Sequence, residues 1–176
     1  MPAASWRTSA RTVTFRRSPR LIRVSEPIEL VRLERQQVVT FRKVVPQAGL
    51  GQWFAEVFPL LFTEILGQGG TPAGAPFARY YNSDPKAFDT EAGIAFTGTV
   101  KAPSGARVTS LPGGEAAKTV HIGSYETISS EYMRLADWLA KSGKKPGDGP
   151  WEVYVDDPDT TPPAHVKTEV YWPVER

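Results

Sequence analysis

Gly149-Pro150-Trp151-Glu152-Val153-Tyr154-Val155-Asp156-Asp157-Pro158 runs from a Gly-Pro turn, through alternating apolar and polar residues, to an Asp-Pro stop. Such alternation reads as a strand with two unlike faces. The stretch has a counterpart in Thr71-Pro72-Ala73-Gly74-Ala75-Pro76-Phe77-Ala78-Arg79-Tyr80-Tyr81-Asn82-Ser83-Asp84-Pro85. That segment also passes from Pro and Gly through an aromatic-rich strand to Asp-Pro. The next strands both open on Thr-Glu, at Thr90-Glu91 and Thr168-Glu169. Equivalent points lie about 73 to 78 residues apart, and an amphipathic helix precedes each copy. The chain reads as two copies of one plan.

Working outward, Ile28 to Val45 is Val-rich and partly alternating, which predicts extended chain. A helix is expected from about Leu50 to Leu66, with Trp53, Phe54, Val57, Phe58, Leu61 and Ile65 on its apolar face. Pro59 should kink or divide it, and Gly67, Gly69 and Gly70 should end it. Strands at about Phe77–Asn82 and Gly93–Lys101 complete the first copy. In the second, a strand is expected over Lys118–Tyr125, after a turn at Leu111-Pro112-Gly113-Gly114. A helix over Ser129–Lys141 should turn Tyr132, Leu135, Trp138 and Leu139 inward, and strands follow at Trp151–Asp156 and Val166–Val174. Each half is therefore strand–helix–strand–strand, and the whole is α+β with an antiparallel sheet. Module one covers about residues 27–102 and module two about 105–174, within one domain over 27–176.

The net charge of +2 conceals an uneven distribution. Residues 1–26 hold six arginines and one acid, Glu26, which leaves 15 basic and 18 acidic residues in 27–176, a net charge of −3. The first 26 residues are expected to form a flexible basic extension, with a targeting or nucleic-acid-contacting role as the alternative. They contain no apolar core of a secretory signal and no periodic pattern, so no direct nucleic-acid-binding module is expected. No cysteine is present, which removes disulfides, thiolate metal sites and a cysteine nucleophile. Two histidines give little for a metal or haem site, and none of the apolar runs is long enough to span a membrane. The expectations are no cofactor, no metal, no membrane partner and, by default, a cytoplasmic location.

Alternation places Glu152, Tyr154 and Asp156 on one side of their strand, opposite Trp151, Val153 and Val155. On the last strand it places Lys167, Glu169 and Tyr171 opposite Val166, Thr168, Val170 and Trp172. If the apolar sides pack on the helices, the two Glu-x-Tyr units face away from the helices, together. Two carboxylates and two phenols would then form one surface, able to hold a cation and stack a flat ligand. Like charges so placed would raise one carboxyl's pKa, as general acid–base work needs. The plain alternative is a solvated strand face with Glu152 paired to Lys167.

The same residues carry a family resemblance. Gly149 to Pro158, then Thr168-Glu169-Val170-Tyr171-Trp172-Pro173-Val174, and His121-x-Gly123-x-Tyr125 before a helix, resemble the GyrI-like small-molecule-binding family over about residues 27–174. The resemblance implies two modules related by a pseudo-twofold, with a ligand groove between them. It implies Glu152 as an acidic anchor for lipophilic, often cationic molecules, with Glu169 and Tyr171 in the same pocket. Tyr81 is the repeat partner expected for Tyr154, and Trp53 is a candidate wall that fits a core position equally well. Family members occur as effector domains of transcription regulators and alone; this chain resembles the stand-alone form.

Other motifs carry less. Asp156-Asp157-x-Asp159 lacks the glycine and final glutamate of a calcium loop. Gly67-x-Gly69-Gly70 follows a helix and so is no phosphate cradle. His121 fits a hydrogen-bonded structural histidine, and no Gly-x-Ser-x-Gly elbow is present. Three readings remain: a module that senses or sequesters lipophilic, cationic or planar compounds; a hydrolase of electrophilic natural products with Glu152 or Glu169 as general base; and a protein-interaction module, such as one acting on gyrase.

Overall fold

The computed structural model describes residues 26–175, so the basic extension, apart from Glu26, lies outside the described residues. Eleven elements follow in chain order: β1 (Glu29–Leu33), β2 (Gln36–Val45), α1 (Leu50–Gly67), β3 (Thr71–Pro72), β4 (Phe77–Tyr80), β5 (Phe88–Thr97), β6 (Arg107–Leu111), β7 (Gly114–Ile122), α2 (Ser129–Lys141), β8 (Trp151–Tyr154) and β9 (Lys167–Pro173). The long strands form one antiparallel sheet in the order β1-β7-β9-β8-β4-β5-β2-β6, with β3 on the side of β5. This is the expected α+β fold of two halves.

The halves meet where β4 pairs with β8. Ala78 faces Glu152, Phe77 faces Val153 and Arg79 faces Trp151, so the Ala78–Glu152 pair marks the pseudo-twofold. The register makes Phe77 the equivalent of Trp151 and Tyr80 the equivalent of Tyr154. Pairing onward into β5 and β9 makes Thr90 and Glu91 equivalent to Thr168 and Glu169. Tyr81 is therefore not the partner of Tyr154. It lies one residue further on, and a one-residue step turns a side chain to the opposite face.

The extended stretch expected over Ile28–Val45 is two strands that belong to different halves. β1 pairs with β7 of the second half, and β6 pairs with β2 of the first. Only residues 34–35 separate β1 from β2, and only 112–113 separate β6 from β7. Each pair of chain neighbours thus lies at opposite ends of the strand order, and such short links require those ends to approach. The sheet curls accordingly, and Val31, Leu33 and Leu111 from its two edges pack with Val38, Phe77, Trp151 and Tyr171 on the inner face.

Both helices cover the outer face. α1 buries Trp53, Val57, Leu61 and Ile65 against Val39, Ile94 and Phe96, and α2 buries Leu135 and Leu139 against Ala117 and Val170. Pro59 does not divide α1. It sits on the exposed side of the helix, and the Thr63 hydroxyl donates to the Pro59 carbonyl at 2.9 Å. β7 stops at Ile122, three residues before the expected end. Gly123 at φ 141 turns the chain, and Ser124 accepts from the Glu126 N–H to start a short 3-10 turn over Tyr125–Thr127. Among the described residues no helix is long and apolar enough to cross a membrane.

At the axis the two links touch. A Cβ on Gly113 would stand 2.9 Å from the backbone nitrogen of Arg35 and 3.1 Å from the carbonyl oxygen of Leu33. Backbone that close cannot yield as a side-chain tip can. Gly113→Val is expected to destabilise the fold by about 1–3 kcal/mol, a scale typical of overpacking. Urea unfolding checks this; an unchanged midpoint would mean that the links separate freely.

Candidate functional site

β8 lies beside β4 at the middle of the sheet and points Glu152 and Tyr154 toward the helices, not away from them. Glu152 is cross-strand from Val170, and Tyr154 from Thr168, so these four share the outer, helix-covered face. Glu169 and Tyr171 are opposite Val153 and Trp151 and lie on the inner face. The expected single surface of two Glu-x-Tyr units is therefore split across the two faces of the sheet. Its premise fails because both faces are buried: the curl gives Trp151 and Val153 an inner core of their own, while the helices take Glu152.

On the helix side Glu152 is 5 % exposed and held only by phenols. Tyr132, brought inward by α2, donates to its Oε1 at 2.8 Å. Tyr154 donates to Oε2 at 3.0 Å, and Tyr80 from β4 lies 3.1 Å from the Tyr154 oxygen. Since the one phenolic proton of Tyr154 goes to the carboxylate, Tyr80 donates to Tyr154. Apolar rings close the space above. The Tyr154 ring is 5.6 Å from Phe54 and 6.0 Å from Phe58 of α1, and Tyr125 of the 3-10 turn stands perpendicular to it at 5.7 Å. Among the described residues no basic side chain is within ion-pairing distance of Glu152.

Burial raises the Glu152 carboxyl to about 7, against the opposing pull of the hydrogen bonds from Tyr132, Tyr154 and Tyr80. Burial, and then the nearby carboxylate charge, push Tyr154 and Tyr132 well above the ordinary phenol value. Tyr125, closer to solvent, is pushed up to about 12 by the same two causes in the same order.

The inner face handles its acids differently. Glu169 receives Lys118 at 2.7 Å and the Tyr171 hydroxyl at 2.7 Å, and the Tyr171 ring stacks on Trp151 at 5.3 Å. Glu91, its equivalent, accepts from Thr40 at 2.8 Å, from Arg107 at 2.7 Å and from Tyr81. Burial opposes its ionisation, but the bonds from Tyr81, Arg107 and Thr40 outweigh burial and hold the carboxyl below its usual value. Two glutamates in one sheet are thus driven in opposite directions: burial prevails at Glu152, while the bonds from Tyr81, Arg107 and Thr40 prevail at Glu91. The inner face also holds a groove of about 400 Å³, lined by Leu33, Leu111, Phe77, Trp151, Glu169 and Tyr171 among others.

Of the expected site residues, the structure brings Glu152 and Tyr154 together. Glu169, Tyr171 and Tyr81 are on the other face, and Trp53 is a core residue 8 % exposed. Tyr80, Tyr125, Tyr132, Phe54 and Phe58 complete the cluster. The sequence signal for Tyr80 was the repeat itself, read one residue out of register. For Tyr132 it was the helix's inward stripe, read as core. His121 is 1 % exposed, with Nε2 3.0 Å from the Ser124 carbonyl and Nδ1 3.6 Å from Glu131, which also binds Arg134. This cluster ties the start of α2 to β7. Among the described residues no group of three His, Asp or Glu side chains is placed to hold a metal ion.

The two half-modules exchanging strands at a pseudo-twofold, with a buried Glu-x-Tyr strand beside the axis, are matched by one sequence profile. That of the GyrI-like small molecule binding domain covers residues 26–175. The chain belongs to this family. Comparison with curated proteins finds no match. Among solved structures the GyrI-like chain is similar to the EcmrR C-terminal domain, at 22 % identity and a TM-score of 0.77, over 87 % of this chain and 99 % of that one. It spans 57 % of the EcmrR chain solved in a complex with DNA. It is also similar to a hydrolase from Listeria innocua, at 14 % identity and a TM-score of 0.63, over 84 % and 91 % of the two chains. A third likeness is to SAV2435 bound to tetraphenylphosphonium, at 14 % identity and a TM-score of 0.55, over 85 % and 94 %. At these identities the likeness is one of fold.

The raised carboxyl sets the pH response. Because Glu152 has a folded pKa of about 7, above the ordinary carboxyl value, the folded state holds its proton the more tightly. Its contribution is most favourable below the ordinary carboxyl range and is lost as pH rises toward 7. Glu152→Gln should therefore gain stability relative to the parent protein between pH 5 and 8, by up to about 3 kcal/mol. Paired urea titrations across that range measure the difference, and a difference that does not vary with pH would rule the shift out.

Proposed function

We propose that this GyrI-like domain binds lipophilic organic cations between α1 and α2, with Glu152 as the charge partner, and thereby senses or sequesters them. The observation that carries the reading is a buried carboxylate whose neighbours are aromatic rings and phenols and which has no cation of its own among the described residues. Such a group is costly to ionise when the site is empty and rewards a positive charge brought to it in a low-dielectric setting. The Tyr132 and Tyr154 hydroxyls satisfy the carboxylate meanwhile, at distances an incoming group can take over. Tyr154, Tyr125, Phe54 and Phe58 then supply ring faces for a flat or cationic molecule. In support, a protein of the same fold has been solved with tetraphenylphosphonium bound.

A second reading rests on the same shift. A carboxyl at about 7 is suited to act as general base toward water, and one similar fold is described as a hydrolase. In that case Glu152→Gln abolishes turnover of an electrophilic substrate with little loss of affinity.

Calorimetric titration with tetraphenylphosphonium tests the first reading. Affinity should fall by up to about tenfold for each pH unit below 7, as Glu152 takes up its proton, and level off above it. Glu152→Gln should weaken binding at least about tenfold and remove the pH dependence, a change of about 1.4 kcal/mol or more. Glu169→Gln, on the far face, should leave the constant within about twofold, well inside the usual effect of distant substitutions. Binding that survives Glu152→Gln unchanged would remove the proposal.

A further inference from the structure

Among the described residues one buried side-chain polar atom has no hydrogen-bond partner, the Oγ1 of Thr168. Thr168 is 0 % exposed, on β9, on the same helix-covered face as Glu152. Its cross-strand neighbours are Tyr154 on one side and His121 on the other. Neither has capacity to spare. The Tyr154 hydroxyl is engaged with Glu152 and Tyr80, and the His121 ring nitrogens face the Ser124 carbonyl and Glu131.

The other half of the molecule shows that the orphan is not a feature of the fold. Thr90 occupies the equivalent place, cross-strand from Tyr80, and its hydroxyl donates to the carbonyl of Phe88 two residues back, at 3.3 Å. The corresponding carbonyl beside Thr168 is that of Val166, which accepts the Gly123 N–H at 2.9 Å. In this half that carbonyl serves the turn into α2 and takes no hydrogen bond from Thr168. A buried hydroxyl without a partner is unfavourable, and native proteins keep few of them without a use.

We propose that Thr168 is a specificity-determining contact of the Glu152 site, its hydroxyl donating to an acceptor oxygen on the bound molecule. The ligand class is then an organic cation that also carries a carbonyl-type oxygen, in preference to a bare lipophilic cation. This rests on the Glu152 reading above. Residues directly opposite on neighbouring strands lie about 5 Å apart. Thr168 faces Tyr154 directly and is two residues from Val170, which faces Glu152, so its side chain borders the space that a molecule displacing Tyr154 from Glu152 would enter.

The test is calorimetric titration at pH 8 with two cations that differ by one oxygen, phenacyltrimethylammonium and phenethyltrimethylammonium. Both are titrated into the parent chain, Thr168→Val and Thr168→Ser, with Thr168→Ala in place of the valine variant should that one fail to fold. The parent chain should prefer the ketone by about five- to tenfold, the weight of one neutral hydrogen bond. Thr168→Val should erase that preference by weakening the ketone alone, and Thr168→Ser should keep it. The valine variant should also melt at or above the parent temperature, which a purely structural hydroxyl would not allow. Equal loss of both cations, or no change in either, overturns the role of Thr168. Failure of both cations to bind the parent chain, or equal binding to Glu152→Gln, overturns the Glu152 reading and this inference with it.

Discussion

Two short links, residues 34–35 and 112–113, set the geometry on which everything else depends. Each joins strands from opposite ends of the sheet, β1 to β2 and β6 to β7, so neither half has a complete sheet of its own. The exchange brings the sheet's edges together and gives it an inner core as well as a helix-covered outer one. Both faces of β8 are buried as a result. Any polar residue on that strand must find partners within the protein.

Glu152 and Glu169 answer that requirement in different ways. Glu169 took a lysine and a phenol, and Glu91 an arginine with a phenol and a threonine. Glu152 has phenols alone, and its carboxyl rises while that of Glu91 falls. Hydrogen bonds from neutral donors soften the loss of hydration but do not replace an opposite charge. A carboxylate left in that state is stable enough to fold around and still open to a better partner. The halves do differ at the equivalent threonines Thr90 and Thr168: Thr90 is satisfied locally and Thr168 is not.

The place of the site follows from symmetry as well as chemistry. The pseudo-twofold passes through the Ala78–Glu152 pair, so the first half has an alanine where the second has its acid. Tyr80 and Tyr154 approach each other across the axis, so the first half adds Tyr80 to a network in which the second supplies Tyr132 and Tyr154. The repeated plan thereby builds one central cluster around Glu152, with side chains from both helices.

The fold class was legible in the sequence because it depends on local signals. The repeat, the Thr-Glu strand starts at Thr90 and Thr168, the helix over Ser129–Lys141 and the stop-turns are written in spacing and in Gly and Pro positions. Glu152 and Tyr154 were legible for the same reason, since alternation places them together on any strand. What alternation does not carry is which face a strand turns to the helices when both faces are apolar enough to be buried. Strand exchange at residues 34–35 and 112–113 decided that, and with it the separation of Glu169, Tyr171 and Tyr81 from Glu152. It also decided that Tyr80, not Tyr81, joins the site, because register is fixed by pairing between distant strands and a single-residue offset reverses every side chain. Sequence determined the parts and their local shapes; long-range pairing, which sums contacts no local window contains, determined which of them meet.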